Sequence, residues 1–135
     1  MTEDLIFCTP DDTASKAAQL MKKEDIGPVL IIDNERTKTL VGIVTDRDLA
    51  LKVVGERRDP QNTKVGDVMT RKLVTCRADD DVEVAMNAMA QYQLRRIPVV
   101  DDNMRLVGII SQADVATRVG EPEKTAEVVR EISQS

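Results

Sequence analysis

The chain has 135 residues, of which 41% are hydrophobic, 32% are charged and 1% are aromatic, and its net charge is −5 at pH 7. The acidic balance disfavours nucleic acid and anionic membranes as non-specific partners, and the scarcity of aromatic rings argues against stacking of single-stranded bases. Histidine, the commonest general base and metal ligand, is absent, and there is no glycine-rich phosphate loop, so the sequence predicts no enzyme.

The two cysteines, Cys8 and Cys76, cannot form a disulfide framework. They favour a reducing compartment, and we expect a cytoplasmic protein with a buried structural thiol at each position. No apolar run approaches the roughly 20 residues of a membrane span, and no signal peptide precedes the first predicted helix. The sequence therefore predicts no membrane partner.

The first half of the chain predicts the order β-α-β-β-α. The predicted elements are a short extended run at residues 5–8, a helix capped by Thr13, strands at Val29–Ile32 and Leu40–Val44, and a helix at residues 46–53. Because Val29–Ile32 is an uninterrupted β-branched and aliphatic run, we expect that strand to be buried on both faces. Residues 56–64 are polar and turn-rich, which predicts a linker.

The second half repeats this order. Acidic residues 79–81 precede a predicted helix, strands follow at residues 97–100 and 106–110, and a last helix begins near Gln112. The methionines Met21, Met86 and Met89 lie at helical spacing and are predicted core residues. Residues 121–135 predict a C-terminal helix with Pro122 in its first turn and a small apolar face.

The two halves are diverged copies of one unit. Cys76 follows Cys8 by 68 positions, and Asp101 follows Asp33 by the same interval. After a two-residue insertion in the first copy the interval becomes 66, as between Gly42 and Gly108. A constant register with a single gap in a turn indicates an internal repeat. We predict a first copy at residues 1–55, a linker at 56–64, a second copy at 65–120 and a tail at 121–135.

Both copies carry one motif after their last strand, an apolar-Gly-apolar-apolar segment followed by Thr/Ser-x-x-Asp. The segments are VGIVTDRD at residues 41–48 and VGIISQAD at residues 107–114, and RRIPVVD at residues 95–101 leads into a strand of the second copy. At these matching positions the chain resembles a tandem pair of CBS (cystathionine β-synthase) domains. The resemblance covers nearly the whole chain apart from the tail.

The resemblance implies an α+β fold of two β-α-β-β-α repeats packed with pseudo-twofold symmetry, with two clefts between them. Such pairs commonly bind adenosine-containing ligands, among them AMP, ADP, ATP and S-adenosylmethionine, and no other cofactor is required. They regulate an attached or separate effector protein, and they often form homodimers. These properties are expectations for this chain.

The Thr/Ser-x-x-Asp motif has chemistry of its own. It lies at a helix start, where unpaired N–H groups and the Thr45 or Ser111 hydroxyl can meet a phosphate. One turn further on, Asp48 or Asp114 can accept both hydroxyls of a ribose. A hydroxyl cap with an acidic residue three positions later is also a capping arrangement that needs no ligand. The two roles are compatible.

Further candidates surround the motif. Arg95 and Arg96 are geometrically suited to phosphate oxygens, although they are also explained as a solvated pair at a strand edge. Arg47 lies at the other helix start, where a surface ion pair is the simpler explanation. Adenine would lie against apolar side chains near Ile26 and Leu30 in one cleft, and near Leu94, Ile97 and Pro98 in the other.

The copies differ at the arginine positions, because Gly27 and Pro28 replace Arg95 and Arg96 in the first copy. The second copy is therefore the better candidate for a charged nucleotide, and the first copy for an uncharged adenosyl group, weak binding or none. Two functions remain open: a sensor whose adenosyl ligand alters association with a partner or with itself, and a dimerisation scaffold that needs no ligand.

Overall fold

The computed structural model describes residues 6–113. These residues form parts of two compact units, one at Ile6–Leu73 and the other beginning at Val74. The predicted C-terminal helix and Asp114 lie outside the described residues.

The first unit contains a three-stranded sheet, two helices and a short 3-10 helix at Val65–Asp67. Its elements are β1 (Phe7–Cys8), α1 (Ala14–Glu24), β2 (Val29–Ile32), β3 (Leu40–Val44) and α2 (Asp46–Leu49), which continues as a π-helical turn at Ala50–Val54. The predicted strands Val29–Ile32 and Leu40–Val44 and the cap at Thr13 are confirmed. The predicted helix at 46–53 is also present, although its second half has the wider π-helical geometry.

The described residues of the second unit repeat the first four elements of this order, and the helix predicted to begin near Gln112 extends outside the described residues. The elements of this unit are β4 (Cys76–Arg77), α3 (Val82–Tyr92), β5 (Arg96–Val100) and β6 (Leu106–Ser111). In both sheets the middle strand pairs in parallel with the first strand and antiparallel with the last. Each middle strand has an irregularity at the equivalent step, Ile31/Ile32 in β2 and Val99/Val100 in β5. The predicted duplication and α+β fold are therefore reproduced in the geometry of the strands.

Each unit has its own apolar core beneath its sheet. All four residues of β2 are buried, as predicted for a strand covered on both faces. In the second unit Met89 is 1% exposed, but Met86 is 37% exposed. The prediction that Met86 is a core residue is therefore wrong, because the buried face of α3 is centred on Val82, Ala85 and Met89, and Met86 lies outside that face.

Both long helices end in a residue with left-handed backbone geometry. Asp25 after α1 has φ 53°, and Gln93 after α3 has φ 56°. In each case the residue that follows donates its N–H back into the helix, from Ile26 to the Met21 carbonyl at 3.0 Å and from Leu94 to the Met89 carbonyl at 2.8 Å. Left-handed geometry costs a residue with a Cβ about 1–2 kcal/mol, although aspartate tolerates it better than glutamine.

We expect Gln93→Gly to raise the free energy of unfolding by about 1 kcal/mol, because glycine adopts the left-handed cap without steric cost. Urea unfolding measures the change. Gln91→Gly is the matched control, since Gln91 lies inside α3, where glycine should lower the free energy of unfolding by about 1 kcal/mol. Equal effects of the two substitutions would contradict the expectation.

The segment before the second sheet packs on the first unit. Val65, Val68 and Met69 are buried in the core of that unit. Thr70 pairs with Ile43 of β3 through two backbone hydrogen bonds of 2.7 and 2.9 Å. The sequence repeat groups residues 65–73 with the second copy, whereas their contacts place them in the unit Ile6–Leu73. Sequence copies and compact units therefore have different boundaries.

Candidate functional site

The end of β3 is closed by a reciprocal cap. The Thr45 hydroxyl oxygen accepts a hydrogen bond of 3.1 Å from the Asp48 N–H, and Asp48 Oδ2 accepts one of 3.0 Å from the Thr45 N–H. This arrangement is a capping box, so two donors that a helix start leaves unpaired are satisfied within the protein. The capping role predicted for Thr45 and Asp48 is confirmed. Their predicted role in ligand binding stays a prediction.

Within residues 6–113, the Asp48 carboxylate has two further partners. The Thr70 hydroxyl lies 3.2 Å from both carboxylate oxygens, and Lys52 Nζ lies 3.1 Å from Oδ1. Lys52 also donates a 3.0 Å hydrogen bond to the Val68 carbonyl. Asp48 therefore connects the start of α2 to the segment that precedes the second sheet, and it does so while only 9% exposed.

Asp48 is held in its ionised form. Burial acts to raise the pKa of its carboxyl, but the hydrogen bond from the Thr45 N–H and the Lys52 ammonium outweigh burial, so the pKa lies below its ordinary value. An ionised, oriented carboxylate is the form that accepts hydrogen bonds from hydroxyl groups most strongly.

We expect the stability that Asp48 contributes to be lost in acid. Because the folded pKa is lower than the unfolded pKa of about 3.9, the contribution is complete above that value and disappears as pH falls through the folded pKa. Urea unfolding of the wild type and of Asp48→Asn at several pH values tests this. The two proteins should converge at low pH, and a difference independent of pH would contradict the assignment.

The second copy brings its candidate residues to one end of a sheet. Arg96 and Ser111 are paired residues of β5 and β6, and the Gln112 N–H donates a 2.8 Å hydrogen bond to the Arg95 carbonyl. Arg95 and Arg96 are exposed, and among residues 6–113 neither forms an ion pair. Their guanidinium groups are therefore unneutralised within the described part of the chain.

The equivalent end of the first copy has a different charge. The Asp46 N–H donates to the Gly27 carbonyl at 3.2 Å, which matches the bond between Gln112 and Arg95. A Cβ at Gly27 would lie 3.6 Å from Asp46 Oδ1. At these positions the first copy has the Asp46 carboxylate, followed by the exposed Arg47, where the second copy has the Gln112 amide and the two arginines Arg95 and Arg96. The second copy therefore carries the larger positive charge among the described residues at this end of its sheet.

The remaining predicted site residues differ in exposure. Arg47 is exposed, and its N–H donates to Asp46 Oδ1 at 2.9 Å. Ile26 is half-buried against the first core. Ile97 and Pro98 are buried within β5. A contact between adenine and Ile26, Ile97 or Pro98 stays a prediction.

Two members of the Asp48 network, Lys52 and Thr70, were not predicted from the sequence. Lys52 follows Asp48 by four positions, a spacing that places an acid and a base together on a helix and could have identified it. Thr70 is 22 residues away and reaches Asp48 only because its segment pairs with β3. No local pattern identifies Thr70.

The predicted burial of both thiols is confirmed, since Cys8 and Cys76 are buried. Burial, together with the Asp12 carboxylate, raises the pKa of the Cys8 thiol to about 11. Cys8 is therefore protonated at neutral pH, which suits a packing role rather than a reactive one. Within residues 6–113 there is no cluster of three or more potential metal ligands and no helix able to cross a membrane.

Known proteins resemble this chain along nearly its whole length. Protein YlbB of Bacillus subtilis is 39% identical over 134 residues, which cover 99% of this chain and 88% of YlbB. An inosine-5'-monophosphate dehydrogenase of Methanocaldococcus jannaschii is 36% identical over 121 residues, but these cover 90% of this chain and only 23% of the enzyme. The likeness to that enzyme is therefore confined to a minor part of it.

Solved structures share the fold. A crystal structure of Hypoxic Response Protein I with two coordinated zinc ions has a TM-score of 0.74 and 30% identity, covering 88% of this chain and 94% of that one. CBSX2 in complex with AMP has a TM-score of 0.70 and 29% identity, covering 85% and 87%. The CBS domain pair of MJ0100, with 5'-methylthioadenosine and S-adenosyl-L-methionine, has a TM-score of 0.66 and 29% identity, covering 87% and 89%.

The sequence model of the CBS domain matches this chain twice, at residues 1–55 and 65–121. The two matches correspond to the two copies that the internal repeat predicts. The chain therefore belongs to the CBS domain family and contains a tandem pair of CBS domains.

Proposed function

We propose that this protein is a regulatory module that binds an adenosine-containing molecule and thereby alters its association with an effector protein or with itself. AMP, ADP, ATP and S-adenosylmethionine are the candidate ligands. The proposal is supported by the family, whose domain pairs are regulatory, and by the AMP complex of CBSX2 and the S-adenosylmethionine complex of MJ0100. A ligand can regulate in this way only if it binds one conformation better than another.

The observation that carries the proposal is the geometry of the Thr/Ser-x-x-Asp motif. In the first copy Thr45 and Asp48 present a hydroxyl and an ionised carboxylate at the end of a strand. A carboxylate of this kind can accept the hydroxyls of a ribose, each charge-assisted bond contributing about 1.5–3 kcal/mol. By the repeat, Ser111 and Asp114 take the same roles in the second copy.

The charge difference between the copies extends the proposal to ligand class. Arg95 and Arg96 suit a ligand with phosphates, so the second copy takes AMP, ADP or ATP. In the first copy Asp46 offsets the charge of Arg47, and Gly27 and Pro28 replace the two arginines, so this copy suits a neutral or cationic adenosyl group, as in S-adenosylmethionine.

We expect Arg95→Gln/Arg96→Gln to weaken ATP binding by about tenfold or more, since two charge-assisted contacts to phosphate are lost. Binding of 5'-methylthioadenosine, which has no phosphate, should change little. Isothermal titration calorimetry measures both ligands. Arg57→Gln/Arg58→Gln, at exposed positions of the first unit, is the control for net charge. Equal losses in the two double variants would contradict the proposed phosphate contact.

The second candidate function is a scaffold for self-association without a ligand. Asp48 is bound by three protein donors among residues 6–113, so its role in the fold does not require a ligand. On α3, Val84 and Tyr92 are 47% and 53% exposed and lie two turns apart, with Ala88 between them. The equivalent positions of α1 hold Lys16 and Glu24. An apolar stripe in one copy only is typical of an interface between protein surfaces.

Thermal unfolding with each candidate ligand separates the two functions. A bound ligand raises the melting temperature by mass action, and the sensor predicts such an increase for at least one adenosyl ligand at millimolar concentration. If none raises the melting temperature or releases heat in calorimetry, the scaffold is the correct function.

A further inference from the structure

The Asp48 carboxylate has little capacity left for a ligand. A carboxylate offers about four acceptor positions. Among residues 6–113, three protein donors already use it: the Thr45 N–H, the Thr70 hydroxyl, which is shared between both oxygens, and the Lys52 ammonium. A ribose with both hydroxyls brings two donors. One protein donor must therefore leave before Asp48 can accept both.

The Thr70 hydroxyl is the donor that can leave at least cost. The Thr45 N–H is fixed by the capping box and cannot turn away without breaking the start of α2. Lys52 carries a charge and is also bound to the Val68 carbonyl. The Thr70 hydroxyl makes the longest contacts, 3.2 Å to each oxygen, and can rotate about its Cα–Cβ bond while its backbone remains paired with Ile43.

We infer that Thr70 determines the ligand specificity of the first-copy site, because its hydroxyl occupies the place on Asp48 that one hydroxyl of a ribose requires. The inference rests on the proposed function, in which Asp48 binds the sugar. A ligand with both ribose hydroxyls displaces Thr70. A 2'-deoxy ligand has one of the two ribose hydroxyls, and this hydroxyl can bind the acceptor position of the Asp48 carboxylate that is still open, so Thr70 can stay in place. Thr70 therefore reduces the preference of this copy for ribose over deoxyribose.

Thr70 reaches Asp48 because its segment, residues 65–70, packs on the core of the first unit. Thr70 belongs by sequence to the match at residues 65–121, yet its hydroxyl acts on the motif of the match at residues 1–55. Val65, Val68 and Met69 hold its segment in the first core, so the hydroxyl is presented to Asp48 by a fixed backbone. The residue competing with the ligand is thus contributed by the other copy.

Isothermal titration calorimetry with adenosine and with 2'-deoxyadenosine tests the inference. Binding at the first-copy site is identified as the binding that is lost in the Asp48→Asn variant. Thr70→Val has nearly the same shape but no hydroxyl. It should tighten adenosine binding by about tenfold, equivalent to ~1.4 kcal/mol, and leave 2'-deoxyadenosine unchanged. Thr70→Ser keeps the hydroxyl and should behave as the wild type. If Thr70 had only a structural role, Thr70→Val would change the affinities for adenosine and 2'-deoxyadenosine by the same factor.

The outcomes separate the inference from the proposed function. If adenosine binds and depends on Asp48, but Thr70→Val affects both ligands equally or neither, the role of Thr70 is overturned and the proposed function stands. If binding does not depend on Asp48, the first-copy site and the inference fail together, and the second copy remains as the binding site. If no adenosyl ligand binds the wild type or Thr70→Val, the proposed function and the inference are both overturned.

Discussion

Replacing Asp48 by alanine is expected to lower the free energy of unfolding by about 2–4 kcal/mol. The substitution removes the acceptor of the Thr45 N–H and of the Thr70 hydroxyl, and it leaves Lys52 with the Val68 carbonyl alone. Such a loss would be large compared with the total stability of a small domain. Urea unfolding at pH 7 measures the change.

Asp46→Ala is the matched control for Asp48→Ala. Asp46 is two positions away and exposed, and within the described part of the chain its carboxylate accepts one hydrogen bond, from the N–H of Arg47. We expect Asp46→Ala to change the free energy of unfolding by no more than about 0.5 kcal/mol. A small effect of Asp48→Ala, similar to that of Asp46→Ala, would show that the Asp48 network contributes little to the fold.

The second large effect is expected at Gly42, where β3 meets the segment before the second sheet. A Cβ at this position would lie 2.6 Å from Met69 Sδ and 3.1 Å from the Thr70 carbonyl oxygen. Because Met69 is buried and Thr70 is paired with Ile43, the segment must shift to accommodate it. We expect Gly42→Ala to lower the free energy of unfolding by about 1–3 kcal/mol, measured by urea unfolding.

Gly27→Ala controls for the general effect of replacing glycine. A Cβ at Gly27 would meet its nearest atom at 3.6 Å, an ordinary contact, so this substitution should be close to neutral. Both substitutions restrict the unfolded chain similarly, and their difference therefore reports the contact at Met69 and Thr70. Equal stability of the two variants would mean that the segment is not held against β3 as described.

Much of the fold is predictable because the sequence contains two copies of the same order of elements. The strands Val29–Ile32 and Leu40–Val44 have the predicted limits, since each is a continuous apolar run bounded by turn residues. The cap at Thr13 follows from the residues before α1. These features depend on residues that are close in the sequence, so the local residue pattern is sufficient to predict them.

Features that depend on distant contacts were not predictable. The exposure of Met86 could not be inferred, because apolar residues surround the buried face of α3 on both sides. The docking of residues 65–70 on the first unit was also missed, because a repeat assigns them to the copy that follows. Thr70 entered the Asp48 network through that docking.

For the candidate site, the motif predicted Thr45 and Asp48, and the structure adds the reason why Asp48 is ionised. The contrast between Arg95 and Arg96 in one copy and Gly27 and Pro28 in the other was visible in the sequence. The Asp46 carboxylate could be assigned to the same strand end only from the structure, which shows the hydrogen bond between the Asp46 N–H and the Gly27 carbonyl. Charge at the two strand ends is therefore the property that distinguishes the copies.

The most direct test of ligand binding is an NMR titration of the labelled protein with AMP and with S-adenosylmethionine. The proposal predicts saturable shifts of the backbone amide signals of Arg95, Arg96 and Ser111 with AMP, and of Thr45 and Asp48 with S-adenosylmethionine. Absence of saturable shifts at all five positions, with both ligands at millimolar concentration, would contradict it.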